Sequence, residues 1–449
     1  MNSKTNNQQE YIELFDQNRE IIEEPCAKLL NNARSKAYTA FKAIGFPSKD
    51  EELYRYTDIR PIFAENYGMN LGRVETHLNP REILSCDVPN LHTHQEYIVN
   101  DTYLRQENKN ELPEGVILGS LNEIASTQPQ LLEPYYNALA VNGDGISQFN
   151  TTFVQDGMLL YIPKNTTVET TIQLMNVLRT NVNILSNRRL LIILEEGAKA
   201  SMLICDHTTE KKKTLSVQVA EVFIGHGASL DLYELEETHS ENRRISQLYV
   251  KQEADSLFNH TNITLTNGLT RNNTQVSLCG EGAEVNMYGL AIADKQQHIE
   301  NNTLVDHVVG HCNSNELYKY ILDDESKGIF AGKMLIRKDA QQTNSQQSNR
   351  NLCLAKSARM YAQPQLEIYA DDVKCGHGST VGQLDENALF YMRQRGIPAE
   401  EACHLLMFAF AGEVIDAIKL DALKERLHIL VEKRFRGELN RCQGCSLCK

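Results

Sequence analysis

The sequence contains no tryptophan, and phenylalanine and tyrosine bring its aromatic content to only 7% of 449 residues. It is also short of positive charge, with 45 lysines and arginines against 59 acidic residues and a formal net charge of −14. Excess negative charge repels the phosphates of nucleic acids and of anionic lipids. We therefore expect neither a nucleic acid nor a membrane among the partners of this protein.

Long apolar runs and a secretory leader are also missing. The runs at 190–194 and 405–411 are far shorter than the roughly 20 residues of a membrane-spanning helix. The opening residues, MNSKTNNQQEYIELF, have neither the apolar stretch nor the small-residue cleavage site of a signal peptide. The eleven cysteines are odd in number and scattered, which is typical of a reducing compartment. These features predict a cytoplasmic protein.

The common enzyme signatures are absent from the sequence. There is no G-x-S-x-G, H-E-x-x-H or G-x-G-x-x-G motif. The nearest approach to a phosphate-binding loop, GIFAGKM at Gly328, has only three residues between its glycines and places Met334 where a hydroxyl must bind Mg²⁺. We therefore expect no nucleotide hydrolysis by this chain alone and predict that it is not an enzyme.

What is present is a long stretch of strands. Between about 145 and 370, runs rich in Val, Ile, Leu and Thr follow one another without helical periodicity, and no proline occurs between Pro163 and Pro364. A recurring turn at Gly197, Gly227 and Gly282 predicts corners in which glycine takes a positive φ. This pattern excludes a doubly wound sheet and leaves a sandwich, a barrel or a β-helix. Abundant asparagine, which can stack in ladders between equivalent turns, favours the β-helix.

The two ends of the chain have helical periodicity instead. We predict a mainly β protein with three parts: an N-terminal helical region with short strands at 1–144, a β-helix core at 145–384, and a C-terminal helical domain with a cysteine-rich tail at 385–449. In the C-terminal part, Asp385 is a predicted N-cap, and the helix that follows Pro398 is apolar nearly all round.

Two groups that contain histidine are candidate metal ligands. His92 and His94 would share one face of a strand, but such a pair is more often exposed to solvent. His307, His311 and Cys312 combine imidazole with a thiol, yet a turn with capped strand ends explains them as well. We favour the structural interpretation for both groups.

The most informative segment runs from 367 to 397. Cys375 and His377 are two residues apart, so on a strand they point the same way, next to a glycine-rich turn. A thiol beside an imidazole, accessible to a partner, is suited to an iron or sulfur site. The alternative is a strand-to-helix linker with an incidental cysteine.

The C-terminus, RCQGCSLCK, contains Cys442, Cys445 and Cys448. Their spacing matches the first three ligands of a ferredoxin-type cluster motif, but the fourth is missing. Metal or cluster binding and exposed idle thiols both remain open for this triad.

At this point a family resemblance emerges from four segments: FPSKDEELYRYTDI at 46–59, VDHVVGHCNSNELYKYILDDESKGIFAGK at 305–333, DAQQTNSQQSNRNLCLAKSA at 339–358, and ADDVKCGHGSTVGQLDENALFYMRQRGI at 370–397. With these the chain resembles the SufB/SufD family of iron–sulfur cluster assembly proteins, and SufD more closely than SufB. The resemblance implies a right-handed parallel β-helix between helical ends. It also implies a complex with a SufB-like chain and two copies of a SufC-like ATPase.

The resemblance also implies roles for particular residues. Cys375 and His377 fall where the family places SufD residues at the SufB interface, beside the nascent cluster, and the helices from Asp385 onward fall where SufC docks. We therefore expect a scaffold subunit that binds no cofactor stably in isolation but meets transient iron or an iron–sulfur cluster in the complex. A homodimer of the isolated chain is also open. The alternatives are a secreted-type β-helix enzyme acting on carbohydrates and an iron-sensing regulator.

Overall fold

The computed structural model of this protein describes residues 6–73, 88, 91–104 and 112–438. In these ranges the helices are Asn6–Glu23 (α1), Lys28–Ile44 (α2), Arg60–Phe63 (α3), Leu121–Thr127 (α4), Pro129–Leu132 (α5), Gly145–Phe153 (α6), Glu386–Gln394 (α7), Ala399–Ile415 (α8) and Asp421–Phe435 (α9), with 3-10 turns at Glu52–Tyr54 and Ala140–Asn142. The break between α1 and α2 surrounds Pro25, and Gly45 ends α2.

The strands fill most of the rest of the chain. They are Thr93–Val99 (β1), Thr102–Leu104 (β2), Ile117–Ser120 (β3), Met158–Ile162 (β4), Thr171–Leu178 (β5), Ile184–Leu194 (β6), Lys199–Thr208 (β7), Thr214–Ile224 (β8), Ser229–Glu237 (β9), Asn242–Gln252 (β10), Leu257–Thr266 (β11), Leu269–Leu278 (β12), Glu284–Ala293 (β13), His298–His307 (β14), Asn313–Leu322 (β15), Lys327–Ile336 (β16), Thr343–Cys353 (β17), Arg359–Ile368 (β18) and Val373–Gly382 (β19).

These strands form a parallel β-solenoid of about eight turns. From β4 onward, consecutive strands belong alternately to two sheets, and each strand pairs in parallel with the strand two places along the chain. Ile172 pairs with Met202, and Met202 with Leu232, so equivalent positions here are 30 residues apart. One sheet runs from β2 and β1 through the odd strands to β19, and the other runs from β3 and β4 through the even strands to β18. The predicted parallel β-helix between helical ends is therefore confirmed.

The corners of the solenoid use the glycines that the sequence singles out. Gly197, Gly227 and Gly282 have φ values of 67°, 64° and 74°, which favour glycine over residues with a Cβ. The asparagines behave differently from the expectation that they stack at turns. Asn272 donates to Asn301 at 2.9 Å within the strands β12 and β14, because equivalent positions of neighbouring coils lie one strand apart.

The three largest apolar clusters supply most of the buried core. The largest fills the space between the two sheets, where inward-facing residues such as Leu190, Met202 and Val222 are fully buried. The outer face of the even-numbered sheet packs against the N-terminal helices through Leu215, Val217 and their neighbours. The outer face of the odd-numbered sheet packs against α8 and α9. Burial of apolar surface on both sides of each sheet is the main source of stability.

A short N-terminal segment crosses several coils of the solenoid. We call residues 52–57 the N-terminal strap. Arg271 on β12 donates to the carbonyl of Leu53 at 2.6 Å, and the hydroxyl of Thr57 lies 2.7 Å from His298 Nε2 on β14. At the last coil, Tyr56 stacks on Tyr361 with 4.6 Å between ring centroids. The strap therefore connects the start of the chain with the end of the solenoid.

Candidate functional site

Cys375 and His377 lie on β19, the edge strand at the open end of the solenoid. Within the described residues β19 pairs only with β17, where Ser345 faces Cys375 and Gln347 faces His377. The two side chains are two positions apart on one strand and thus lie on the same face, as the sequence predicts. Cys375 is half-buried and His377 is exposed. The segment is therefore a paired strand and not a linker, while the alternative that its cysteine is incidental stays open.

Cys375 is a thiol in an apolar setting. It packs with Val373 against the buried Ile336, Ala340 and Ala370. Burial raises the pKa of the Cys375 thiol, and a hydrogen bond with the backbone of Ser345 only partly offsets this. The group is therefore protonated at neutral pH in the isolated chain, which makes it a poor nucleophile and a poor metal ligand until its surroundings change.

No complete metal site forms within the part of the chain that the structure describes. Across residues 6–73, 88, 91–104 and 112–438, no three His, Cys, Asp or Glu side chains come close enough together to hold a metal ion. Cys375 and His377 are two ligand groups of the right kind, one thiol and one imidazole. Any iron bound there needs further ligands from outside these ranges or from another molecule.

Exposed apolar side chains also occur at the ends of the last two strands and in the helix that follows them. Tyr369 is 63% exposed and Val381 is 55% exposed. Nearby α7 has no buried residue and presents Phe390 and Tyr391 to solvent. An edge strand with unpaired backbone groups and exposed apolar neighbours is a surface suited to pairing with another chain.

The C-terminal helices are pinned to the solenoid by ionic contacts. Lys319, only 3% exposed, donates from Nζ to the carbonyl of Phe410 at 2.8 Å and forms an ion pair with Glu413. Farther along, Arg434 Nη1 donates to Asp294 Oδ2 at 2.8 Å. These contacts attach α8 and α9 to the odd-numbered sheet.

Helix α8 is buried on one face only. Its Met407, Ala411, Val414 and Ile415 pack on the sheet, as an apolar helix requires. Leu405, however, is 42% exposed, and it borders a groove between α8 and α9 that is also lined by Phe408 and Phe435. The helix is thus buried against the sheet on one side, and the isolated chain leaves its other apolar face open. Asp385 does cap α7, as predicted, by accepting from the backbone of Asn387 at 2.8 Å.

The other histidine groups have structural roles. His92 is exposed and precedes β1, whereas His94 is buried and its Nε2 lies 3.0 Å from Glu96. His307 is buried against the hydroxyl of Ser314, and Cys312 donates to backbone carbonyls of the turn. The expected solvent exposure therefore holds for His92 but not for His94, and the contacts of His307 and Cys312 are those of strand and turn residues. Cys442, Cys445 and Cys448 lie outside the described residues, so the metal-binding hypothesis for that triad stays a prediction.

The sequence does not reveal the ionic network in the solenoid interior. Between the sheets, Arg188 and Arg244 both bind the buried carboxylate of Asp206, at 2.6 and 2.9 Å. Arg244 also binds Glu234, which lies 3.0 Å from His260. Burial alone would raise the pKa of Glu234, but the hydrogen bond from His260 and the charge of Arg244 lower it to about 2. The signal for this network in the sequence is the occurrence of charged residues at alternate positions of otherwise apolar strands, which are the positions that point inward.

Comparison with known families agrees with this geometry. Residues 177–410 match the family model described as "SUF system FeS cluster assembly, SufBD core domain", and residues 5–174 match that of the "SufBD protein N-terminal region". Together the two matches cover nearly the whole solenoid and the helices that precede it.

Several relatives are named as SufBD family or SufD proteins of iron–sulfur cluster assembly. The chain is 28% identical over 416 residues to an iron–sulfur cluster assembly SufBD family protein of Synechocystis, covering 90% of this chain and 91% of the relative. It is 32% identical over 248 residues to SufD of Escherichia coli, covering 54% and 58%, and 24% identical over 444 residues to SufD of Bacillus subtilis, covering 97% and 100%. The chain belongs to the SufB/SufD family of iron–sulfur cluster assembly proteins and is SufD-like.

Proposed function

We propose that this protein is the SufD-like scaffold subunit of a SufBCD-type complex that assembles iron–sulfur clusters. The observation that carries the proposal is the position of Cys375 and His377 on β19, the edge strand at the open end of the solenoid, which pairs with β17 on one side only within the described residues. A thiol and an imidazole at such an edge become part of an interface as soon as a second solenoid continues the sheet. The protein itself then performs no catalysis.

The proposed partner at this edge is a SufB-like chain. A homologous solenoid presents strands of the same spacing, so its edge can continue both sheets beyond β18 and β19. The exposed Tyr369 and Val381 beside the edge supply apolar surface for the contact. The isolated chain can use the same edge to form a homodimer.

The proposed partner at the C-terminal helices is a SufC-like ATPase. The groove between α8 and α9 is apolar along Leu405 and Phe408 and polar at its rim, where Glu401, Glu432 and Arg436 lie. An apolar centre with a charged rim is typical of protein interfaces. ATP hydrolysis is then supplied by this partner, in keeping with the missing phosphate loop in our chain.

Iron or the growing cluster is the cargo of this site. Imidazole binds ferrous iron when neutral and can replace a thiolate without adding negative charge. We propose that His377 supplies a ligand or relays a proton at the SufB-like interface, with Cys375 as a secondary thiol beside it. No resident cofactor is proposed, and Cys442, Cys445 and Cys448 are a separate candidate for metal binding.

The two other candidate functions find no support. A carbohydrate-active enzyme and an iron sensor would both share the solenoid, but the family matches concern iron–sulfur cluster assembly. Within the described residues no helix is long and apolar enough to span a membrane. A cytoplasmic location is part of the proposal and follows from the free thiols and the nature of the assembly reaction.

The deciding experiment is co-expression of this chain with a SufB-like chain and a SufC-like ATPase. His377→Ala is expected to leave the complex assembled while stopping cluster formation, measured by absorbance and bound iron after purification. Truncation after Arg441 is expected to reduce cluster formation only partly. If the truncated protein loses all cluster formation and His377→Ala has no effect, the site lies in the tail instead.

A further inference from the structure

A column of polar side chains runs into the solenoid directly behind His377. Because β15, β17 and β19 pair in parallel register, Glu316, Gln347 and His377 occupy the same position on three successive strands. Side chains at matched positions of neighbouring parallel strands point the same way and lie about 4.8 Å apart. Glu316 and Gln347 are almost completely buried, whereas His377 stands at the exposed end of the column.

The middle member of this column is held in a fixed orientation. Gln347 donates from Nε2 to Glu316 Oε2 at 2.6 Å, and the same carboxyl oxygen accepts from Thr303 at 3.2 Å. With its nitrogen bound to Glu316, the amide of Gln347 directs its oxygen away from that carboxylate. This Oε1 atom is buried and has no hydrogen-bond partner among the residues that the structure describes. A buried acceptor without a partner costs about 1–3 kcal/mol, so its retention needs an explanation.

The opposite sheet leaves space for that amide. On β16, a Cβ atom at Gly332 would lie 2.3 Å from Gln347 Nε2 and 2.6 Å from Phe330. Any residue larger than glycine would therefore push the Gln347 amide out of place. The Gln347 amide is thus held by its hydrogen bond to Glu316, and it fits there because residue 332 has no side chain.

We propose that Gln347 is a positioning residue for His377: the exposed His377 ring turns toward β17, so that one imidazole N–H donates to Gln347 Oε1, which has no partner among the described residues, and the other ring nitrogen keeps its lone pair free for the partner. The inference rests on the proposed role of His377 and adds to it the group that selects the tautomer. Histidines that bind metals commonly donate their second ring nitrogen to an oxygen acceptor, which fixes the ring and raises its basicity. Here the acceptor comes from the interior of the solenoid.

The test compares Gln347→Leu with Gln346→Leu in the full-length chain. Both changes remove an amide from β17, but Gln346 lies on the opposite, exposed face and serves as the control. Nitrogen-15 NMR of the histidine side chains reports the tautomer of His377, whose signals are assigned by their loss in His377→Ala. The wild type and Gln346→Leu are expected to show one dominant tautomer, and Gln347→Leu a mixture.

A second measurement follows cluster formation in the co-expressed complex. Loss of an orienting partner typically reduces metal affinity or activity 10–100-fold, so Gln347→Leu is expected to slow cluster formation about tenfold. The double variant with His377→Ala should be no worse than His377→Ala alone, because Gln347 acts through His377. If Gln347→Leu proves unstable, Gly332→Ala, which displaces the amide while keeping it, should produce the same tautomer mixture.

The outcomes separate this inference from the proposed function. An unchanged tautomer in Gln347→Leu or in a folded Gly332→Ala overturns the positioning role, even if His377→Ala stops cluster formation. A changed tautomer with a silent His377→Ala supports the hydrogen bond but overturns the assembly role of His377.

Discussion

At the scale of single residues, the interior of the solenoid holds carboxyl groups whose pKa is raised to about 7, namely Glu236 and Glu316. Burial raises the pKa of Glu316 to about 7, although hydrogen bonds from Gln347 and Thr303 partly oppose this. The unfolded chain has a pKa near 4.5 at this position. The folded state therefore binds the extra proton between these values, and the stability that Glu316 contributes at low pH is lost as pH rises through about 7.

The direction of this pH dependence gives a prediction for Glu316→Gln, in which the amide mimics the protonated acid. The variant should be more stable than the wild type by about 3 kcal/mol at pH 8 but by less than about 1 kcal/mol near pH 5. Denaturant midpoints at the two pH values check this, with the exposed Glu325→Gln as the control. The variant must be compared with the wild type at each pH, because other groups also make the stability depend on pH. Burial lowers the pKa of His307 to about 4, so the stability that neutral His307 contributes is lost as pH falls below about 6.5. Equal stabilities of Glu316→Gln and wild type at both pH values would contradict the prediction.

A second residue-scale prediction concerns Glu413, the partner of the buried Lys319. Glu413→Ala leaves the Lys319 ammonium under α8 with the Phe410 carbonyl and ring, and we expect a loss of about 1–3 kcal/mol. The control is Glu367→Ala, which removes the partner of Lys333. Because both members of that pair are substantially exposed, its removal should cost less than about 1 kcal/mol. Similar losses for both variants, measured by thermal or chemical unfolding, would show that Lys319 does not anchor the helix.

At the scale of secondary-structure elements, β19 should act as a pairing edge. Val381→Asp places a charge on this edge strand and is expected to prevent association with a SufB-like chain while leaving the thermal midpoint nearly unchanged. Val182→Asp is a close control, since Val182 is 56% exposed and Val381 is 55% exposed, but Val182 lies in the turn between β5 and β6. Co-purification with the partner distinguishes the two. Retained binding in Val381→Asp would place the interface elsewhere.

Helix α8 carries the corresponding prediction for the ATPase. Leu405→Glu should prevent binding of a SufC-like ATPase without affecting binding of the SufB-like chain, because the exposed leucine borders the groove but faces away from the sheet. Ile44→Glu, on an exposed site of the N-terminal region, is the control. Pull-down from co-expressing cells measures both partners at once, and an ATPase that still binds Leu405→Glu would contradict the assignment of this groove.

The elements themselves were largely predictable from sequence, because strands, corners and caps depend on local chemistry. Gly197, Gly227 and Gly282 identify corners through their backbone freedom, and Asp385 identifies a helix start through its side-chain acceptor. The column of Glu316, Gln347 and His377 was not predictable. Its members are 30 or 31 residues apart, and their alignment depends on the length of each coil, which varies from one turn of the solenoid to the next. Polar residues that face the interior also cannot be told from solvent-facing ones by alternation alone.

At the scale of the whole molecule, the N-terminal strap couples the two ends of the chain. Tyr56 stacks on Tyr361 of β18, and Gln363 Nε2 donates to the Tyr56 hydroxyl at 2.9 Å. Tyr56→Ala removes both contacts, and aromatic pairs contribute about 0.5–1.5 kcal/mol beyond their buried area. We expect hydrogen exchange in β18 to become about tenfold faster, with exchange in β8 unchanged. Uniform protection in both strands would show that the strap does not stabilise the last coil.

The same strap has a consequence for how the protein is made. Tyr56 and Gln363 are separated by 307 residues, so the first leaves the ribosome long before the second is synthesised. At about 5–20 residues per second, this interval is roughly 15–60 s. During that time the growing solenoid must extend coil by coil beneath a segment whose final contacts do not yet exist. The contacts of Tyr56 therefore form only when the last coil is complete, and the same coil also forms the edge for the partner.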